Sequence, residues 1–447
     1  MTTPRVIGIA ALALAIGALS VLHPVAAILA VAGLGVAGLA LCDLSILVAI
    51  SVAFNMLTEP WDLAVKSLPI GSLDLYANDI LLLALLGGLI LGALRRGRPL
   101  PRLRDPISIT LFAFLLYGLF SLARGYAIHG ARALPAFRLR YLYGLLYFLV
   151  LHVMTSPESR RRLLAAVLGS GVLIGLYGIW NALTGANVGH STSSHTLRYL
   201  SGLQAMVLFF ALALVAGTIW SRRRPLWSVV CAALYLIGIL LAQARSVWLG
   251  AVMGVAVAYS GSTGAGRQVW RRYLPAVLLV GLVVVVILVA TNLDIGGDVA
   301  TRAASLSNVS GDITTVWRLF VWGEALKEVR ANPILGLGLG KRFVYFDVVK
   351  EDWRSNRQLH NTYVALAYHS GAIGVGLFIL FQLLVLWRVL TAARRHAGEP
   401  REAKLLALAC CQVCLAAVAF TNVIGASMVS TTYVWILSAV SVLEARG

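Results

Sequence analysis

The sequence predicts an all-α polytopic membrane protein, a bundle of about 12–14 transmembrane helices. Of its 447 residues, 60% are hydrophobic and 12% are charged, whereas charged residues make up about 25% of a typical soluble domain. Apolar runs long enough to cross a bilayer, about 17–25 residues each, recur along the chain. The first, residues 6–22, has a single preceding arginine and no clear small-residue cleavage site, so we expect a retained helix rather than a signal peptide.

Basic residues are concentrated between the apolar runs, and they dominate the net charge of +19. Every second loop carries a basic cluster, as the positive-inside rule predicts for cytoplasmic loops. The clusters are Arg95, Arg96, Arg98, Arg102 and Arg104; Arg160–Arg162; Arg222–Arg224; Arg267, Arg271 and Arg272; and Arg394, Arg395, Arg401 and Lys404. We interpret them as topological anchors at an anionic inner leaflet, so the pattern disfavours nucleic acid as a partner.

With these clusters as cytoplasmic markers, fourteen spans fit the chain with both termini inside. The predicted spans are 5–22, 25–42, 44–58, 77–94, 106–123, 138–155, 163–180, 199–220, 226–243, 246–260, 274–291, 361–389, 404–421 and 427–443. The third span is short, and a re-entrant segment there would leave about twelve or thirteen crossings. The spans divide the chain into an N-terminal transmembrane bundle (1–291), a large outer loop (292–360) and C-terminal transmembrane helices (361–447).

The large outer loop is solvated and nearly charge-balanced, with nine Lys/Arg against eight Asp/Glu. Its segment TTVWRLFVWGEALKEVR has helical spacing, a threonine N-cap candidate at Thr314 or Thr315, and a stop at Asn332-Pro333. Arg318 and Trp322 share one stripe of this helix with Ala325 and Val329. We expect an amphipathic helix along the outer membrane surface, with Arg318 directed at lipid headgroups.

The glycine-rich segment GLGLGK at 336–341 resembles a phosphate-binding loop. It lacks the Gly-x4-Gly-Lys-Ser/Thr spacing of that motif, so a flexible turn is favoured. Clusters of Asp, Glu and His with metal-ligand spacing are missing from the large loop. The sequence therefore predicts neither a nucleotide site nor a metal site there.

A sparse set of cationic and polar residues lies at the outer ends of the spans. It consists of Arg138, Arg140, Arg198, Arg245, Arg318 and the pair His360-Asn361. An arginine at the centre of a membrane helix costs about 2.5–3.5 kcal/mol, so it usually snorkels or pairs. Carboxylates are scarce near Arg245. Each arginine alone is typical of a snorkelling anchor, whereas several that converge with a histidine favour an external anion such as a lipid phosphate or diphosphate.

Several motifs in order resemble the bacterial O-antigen ligase and polymerase superfamily. They are Arg318-Leu-Phe-Val-Trp322, NPILGLG at 332–338, His360-Asn361-Thr-Tyr363 and SGAIG at 370–374. Upstream, ARSVWLG at 244–250 and LYANDILLLALL at 75–86 are similar to further elements of that family. His369 departs from the pattern, because a Glu or another polar residue is more usual before the glycine.

The resemblance implies a GT-C-like fold and transfer of a glycan from undecaprenyl diphosphate to an acceptor hydroxyl. The reaction takes place at the periplasmic face of the bacterial inner membrane, by an inverting displacement that uses no metal or other cofactor. Arg245 and Arg318 would stabilise the diphosphate through charge-assisted hydrogen bonds, with Arg198 and Arg138 or Arg140 as weaker candidates. His360 would be the general base. Asn361 would orient the acceptor or cap the helix.

The acceptor stays open between the lipid A core of a ligase, a carrier-linked repeat of a polymerase, and a protein. A polyprenyl-glycan transporter would also need outward arginines, but would be expected to carry charges deep within its spans. A metal-dependent GT-C enzyme would use carboxylates of the first outer loop, where Glu59, Asp62 and Asp74 qualify. Membrane lipid is a partner in every case.

Overall fold

The computed structural model describes residues 43–57, 68–70, 73–96, 105–185, 189–190, 197–219, 226–264, 267, 313–347, 352–356, 359–422 and 428–446. Its helices are α1 (Leu44–Leu57), α2 (Ala77–Arg96), α3 (Pro106–His129), α4 (Ala133–Arg140), α5 (Leu145–Val153), α6 (Pro157–Thr184), α7 (Gly202–Ile219), α8 (Leu226–Leu241), α9 (Arg245–Gly261), α10 (Ile313–Val329), α11 (Thr362–Arg395), α12 (Pro400–Thr421) and α13 (Met428–Arg446). Three antiparallel hairpins pair β1 (Leu68–Ile70) with β2 (Leu73–Leu75), β3 (Gly189–His190) with β4 (Leu197–Arg198), and β5 (Phe343–Asp347) with β6 (Asp352–Asn356).

The helices confirm the prediction of an all-α polytopic membrane protein. Four helical stretches are long and apolar enough to cross a membrane, namely Pro106–Val153, Pro157–Thr184, Thr362–Arg395 and Pro400–Thr421. Shorter apolar helices accompany them at Leu44–Leu57, Asn78–Leu91, Gly202–Val215 and Leu226–Leu241. The predicted spans 5–22, 25–42 and 274–291 lie outside the described residues, so the total of fourteen stays a prediction.

One predicted span differs in detail from the structure. Instead of a continuous helix over 138–155, the chain forms α4, a 3-10 turn at Leu142–Gly144, and then α5. Tyr141 and Tyr143, at this turn, are both fully buried, so the interruption places two tyrosines in the interior. This interruption ends α4 directly at Arg140 and leaves that arginine at a helix end.

Helices α9 and α12 pack closely through small residues. A Cβ atom added at Gly254 would lie 2.6 Å from Cys410 Sγ, and one added at Gly250 would lie 3.0 Å from Cys414 Sγ. Small residues of this kind allow close approach of membrane helices, which gain van der Waals contact rather than hydrophobic energy. The packing places the start of α9, with Arg245, beside the end of α12.

Helix α11 is broken at Gly371, where φ is +63° and ψ is −166°. Beyond the main core, a second buried cluster joins α10, β5 and the first part of α11; its members are Val321, Ala325, Val329, Phe343, Tyr345, Leu359, Ala365 and Tyr368. The large loop was predicted to contain amphipathic helices. Its described part contains one helix, α10, together with the β5–β6 hairpin, which the sequence analysis missed.

Candidate active site

The start of α11 is fixed by a side-chain cap. Asn361 Oδ1 accepts a hydrogen bond from the backbone N–H of Val364 at 3.0 Å, the usual arrangement of an N-cap asparagine. Of the two roles foreseen for Asn361, capping is therefore the one that the geometry displays. The preceding residue, His360, has a φ of +50°, in the left-handed region. Non-glycine residues in that region are uncommon and often lie at functional sites.

Helix α10 is attached to this corner by Trp322, whose indole Nε1–H donates to the carbonyl of Leu359 at 2.7 Å. Arg318 lies one turn earlier on the same side of α10. This accounts for the Arg-x3-Trp spacing. Trp322 bonds to the residue just before His360, and Arg318, one helical turn away, lies on the same face of α10. The charge of Arg318 acts on His360.

Two expectations about α10 were wrong. Arg318 shares the face of Ala325 and Val329, which is buried against β5 and α11, so this face of α10 meets the protein and not lipid headgroups. The helix begins at Ile313, so Thr314 and Thr315 lie inside its first turn and neither is the N-cap. The apolar side chains of Val316, Leu319, Phe320 and Leu326 instead form the exposed face.

His360 is half-buried between an aromatic ring and a cation. The indole of Trp317 meets the imidazole edge to face, with ring centroids 5.5 Å apart. Burial lowers the pKa of His360 below its ordinary value, and the positive charge of Arg318 lowers this pKa further. Both causes disfavour the imidazolium. At neutral pH, His360 is therefore a neutral imidazole with a lone pair that can accept a proton.

Thr362 links this corner to the elements that carry two more of the predicted arginines. Arg140 and Thr362 line the same small cavity, together with Phe114, Thr431 and Trp435. From the other side, Thr362 Oγ1 donates to the carbonyl of Asn422 at 2.8 Å, and Asn422 Nδ2 donates to Ser246 Oγ at 3.5 Å. Ser246 follows Arg245 in the chain. Arg140 thus borders the cavity at the N-terminus of α11, and the start of α9, which carries Arg245, is linked to the same end through Ser246 and Asn422.

Arg138 is engaged in a different way. Its Nη1 lies 3.1 Å from Asp79 Oδ2, and its guanidinium lies 4.8 Å from the ring centroid of Tyr76. Tyr143 donates to the other oxygen of Asp79 at 2.8 Å. This buried group links α4 to the start of α2. Arg138 is already neutralised by a carboxylate, so it is the least suited of the predicted arginines to bind an external anion.

The backbone of Arg198 lies at the same end of the bundle as Arg245. It belongs to strand β4, and the next residue, Tyr199, donates its N–H to the carbonyl of Leu241 at 3.4 Å. Leu241 ends α8, just before the turn that leads to Arg245. The side chain of Arg198 lies outside what the structure describes, so its role stays a prediction.

Sequence reasoning missed several residues of this corner. Trp317 stands next to Arg318 in the aromatic-rich run VWRLFVW, and that repetition was a usable signal. Asn422 and Thr362 gave no signal in the sequence, because their contact joins residues 60 positions apart. Asp79 was visible only as part of the LYANDILLLALL motif.

The carboxylates of the metal-dependent alternative fall mostly beyond the described residues. Glu59 and Asp62 lie outside them, and Asp74 is described by its backbone alone, on β2. Among the described side chains, no three His, Cys, Asp or Glu residues are grouped as metal ligands.

The fold and this corner define a polytopic helical membrane protein with a half-buried histidine at a helix entrance, under the charge of Arg318 and close to the elements that carry Arg140 and Arg245. Residues 230–379 match the family model for O-antigen ligase. The match confirms the resemblance to the O-antigen ligase and polymerase superfamily over about a third of the chain. That family implies glycosyl transfer from a lipid-linked glycan to a glycan acceptor. A search of curated proteins found no match.

The match also separates the candidate residues into two groups. Arg245, Arg318, His360 and Asn361 fall within the matched segment, whereas Arg138, Arg140 and Arg198 precede it.

Proposed function

We propose that this protein is an O-antigen ligase that transfers a glycan from undecaprenyl diphosphate to a hydroxyl of the lipid A core. The reaction takes place at the periplasmic face of the inner membrane and inverts the anomeric centre. The observation that carries the proposal is the half-buried His360 at the entrance of α11, which packs against Trp317 and lies under the charge of Arg318.

The diphosphate of the donor binds to Arg318, Arg245 and Arg140 near the N-terminus of α11. Arg318 and Arg245 donate charge-assisted hydrogen bonds to its oxygens, and Arg140 adds positive charge from the cavity side. The N-terminus of α11 contributes a partial positive charge of its own. As the bond to the sugar breaks, negative charge grows on the leaving oxygen, and these groups stabilise it.

His360 accepts the proton of the acceptor hydroxyl. The acceptor oxygen forms a bond to the anomeric carbon while the bond from that carbon to the phosphate oxygen breaks. The leaving undecaprenyl diphosphate keeps the bonding electrons, and the proton remains on His360 until water removes it. The lowered pKa supports this role, because the base has to be unprotonated at the start of each cycle.

The outer location of the site follows from the basic clusters that mark the cytoplasmic loops. In a cysteine-free background, a cysteine at position 354 reacts with an impermeant thiol reagent in intact spheroplasts, whereas a cysteine at position 398 does not. Labelling with the opposite sidedness would overturn the proposed location of the site.

The decisive experiment uses the purified protein in lipid nanodiscs with undecaprenyl-diphosphate-linked glycan. We expect glycan to appear on added lipid A core, with no loss of rate in the presence of a chelator. Elongation of the carrier-linked glycan without added core would instead identify a polymerase. A rate that chelator abolishes and added metal restores would favour the carboxylate-metal enzyme.

A further inference from the structure

The segment 332–340, which we call the glycine turn, is inserted into the break of α11. In an unbroken helix the carbonyl of residue 368 would accept from the N–H of 372, and that of 369 from 373. Here the carbonyl of Tyr368 accepts from Leu337 N–H at 2.8 Å, and Ala372 N–H donates to the carbonyl of Pro333 at 2.8 Å. The glycine turn therefore supplies the missing donor for the carbonyl of Tyr368 and the missing acceptor for the N–H of Ala372.

The next backbone pair of the interrupted helix, the carbonyl of residue 369 and the N–H of residue 373, is also completed by the glycine turn. The carbonyl of His369 accepts from Gly338 N–H at 3.1 Å, and Ile373 N–H donates to the carbonyl of Ile334 at 3.4 Å. The remaining carbonyl, that of Ser370, accepts from the hydroxyl of Tyr117 at 2.6 Å. Since water is absent from the bilayer core, backbone groups freed by a break at membrane depth have to be satisfied by protein.

Two glycines make this insertion sterically possible. Gly336 has a φ of +69°, and a Cβ atom there would lie 2.5 Å from the backbone N of Gly371. Gly371 has a φ of +63°, and a Cβ atom there would collide with the carbonyl of Ile334. Each glycine thus occupies the space that a side chain on the other would need. The glycine turn is consequently a locked joint, contrary to the expectation of a flexible turn, and its amides at 337 and 338 are already used.

Further bonds hold the glycine turn from the side of α3 and α11. Arg124 donates to the carbonyl of Leu335 at 2.8 Å, and His129 Nε2–H donates to the carbonyl of Leu337 at 3.0 Å. His369 Nδ1–H donates to the carbonyl of Gly338 at 3.2 Å. The turn is thereby fixed to two membrane helices at once.

The glycine turn follows closely after α10, the helix that carries Arg318. Asn332 N–H donates to the carbonyl of Val329 at 3.0 Å, and Gly336 N–H donates to that of Asn332 at 2.8 Å. Near the same end, Tyr368 donates to Glu328 Oε2 at 2.9 Å. Helix α10 is therefore attached to α11 at its end, through the joint at Gly371 and the bond from Tyr368 to Glu328, and to the residues just before α11 through the Trp322 bond at Leu359.

We propose that the glycine turn, through Gly336 and Gly371, is the positioning element that sets Arg318 against His360. The turn touches neither donor nor acceptor. It fixes the end of α10, so the distance from Arg318 to His360 depends on the joint remaining closed. This inference rests on the proposed function for its effect on the rate, but its structural content stands apart from the reaction.

The test compares Gly336→Ala with two matched glycine variants in nanodiscs. Gly323→Ala lies on α10 and Gly376→Ala lies on α11, and an added Cβ atom meets nothing within 4 Å at either position. We expect hydrogen exchange to be slow in 333–340 and 368–374 of the wild type, and fast in both segments of Gly336→Ala. Both matched variants retain slow exchange. Fast exchange of the turn in the wild type would overturn the proposal.

A second readout follows the charge of Arg318 without any catalysis. Arg318 is the charged group that acts on His360 among the described residues, so moving it away raises the pKa of His360. We measure this pKa from the pH dependence of acylation of the His360 peptide by diethyl pyrocarbonate. In Gly336→Ala the pKa rises toward that of Arg318→Ala. An unchanged pKa in a variant whose turn has opened would overturn the positioning role.

The kinetic consequence is a fall in kcat of about 10–100-fold in Gly336→Ala, with KM for the donor changed by less than about threefold. If Gly336→Ala does not fold, His129→Ala takes its place, because it removes the donor to the carbonyl of Leu337 in the glycine turn, 3.0 Å away. Normal kcat with an opened turn contradicts the proposal. Absence of glycan transfer in the wild type refutes the proposed function instead. The hydrogen-exchange and pKa measurements then still test whether the glycine turn positions Arg318.

Discussion

His360 and His369 lie nine positions apart, and each ring meets an aromatic ring and the charge of an arginine, but their exposure and hydrogen bonds differ. His360 is half-buried, stands against Trp317 and faces the charge of Arg318. His369 is buried, and its Nδ1–H donates to the glycine turn. The imidazole of His360 is only half-buried and can meet a substrate, so we call it the open imidazole. The imidazole of His369 holds the glycine turn in place, so we call it the brace. The difference teaches that a histidine in a motif acquires its role from the element that packs against it.

The largest expected effect is the loss of the open imidazole. His360→Ala lowers kcat by about 10²–10⁴-fold, the usual contribution of a general base. Carrier-lipid binding is retained, because the arginines remain. His396→Ala, at the other end of α11 beside Glu399, provides the control and keeps wild-type kcat. Full activity of His360→Ala in a nanodisc transfer assay would remove the distinction between the two histidines.

The next effect comes from the two arginines proposed to hold the diphosphate. Arg318→Ala and Arg245→Ala each cost about 1.5–3 kcal/mol of transition-state stabilisation, as expected for hydrogen bonds to a charged group. Lysine recovers only part of this, because a point charge does not reproduce the planar fork of arginine. The exposed Arg330, just beyond the end of α10, gives a matched control in Arg330→Ala. Full activity of both site variants would place the diphosphate elsewhere.

The pH dependence of the rate sharpens the comparison further. A base is active when unprotonated, so kcat/KM, which reports the free protein, rises with pH and levels off above the pKa of His360. Burial and Arg318 both lower that pKa, so the midpoint lies below the ordinary histidine value of about 6.5. Arg318→Ala removes the charge and moves the midpoint upward. A midpoint above the ordinary value in the wild type, or a downward shift in the variant, would contradict the assignment.

The smallest effect on the rate belongs to the brace. His369→Ala removes one hydrogen bond to Gly338 and lowers the free energy of unfolding by about 0.5–1.5 kcal/mol, measured as a lower Tm in detergent. His369→Asn, which keeps a side-chain N–H donor, recovers part of the loss. The joint retains its other bonds, so kcat falls less than in Gly336→Ala. A loss of rate as large as that of His360→Ala would show that His369 acts on the substrate.

The helices were predictable because their signals are local. Apolar length and alternate basic loops placed spans such as 44–58, 226–243 and 404–421 within a few residues of the observed helices. The break at Gly371 was not predicted, since SGAIG continues an apolar run without interruption. The β5–β6 hairpin was also missed, because its strands of five residues alternate only briefly between apolar and polar side chains.

The candidate site was predictable in its residue types but not in its pairings. The motif identified Arg318 and His360, and their proximity agrees with it. Arg138 and Arg140 looked equivalent in sequence, yet the first is paired with Asp79, 59 positions away, and the second borders a cavity. Helical spacing placed Arg318 on the correct stripe with Trp322 and Val329, but could not tell that this stripe faces the protein.

The joint at Gly371 has a consequence for the assembly of the protein during synthesis. The glycine turn leaves the ribosome before any residue of α11, and each backbone group left unpaired in lipid costs several kcal/mol. The two halves of α11 therefore emerge after the segment that completes their hydrogen bonds. The glycine turn is therefore synthesised before the helix whose broken backbone it completes. A circular permutation that translated α11 first would leave the broken helix without its partner at the moment of insertion.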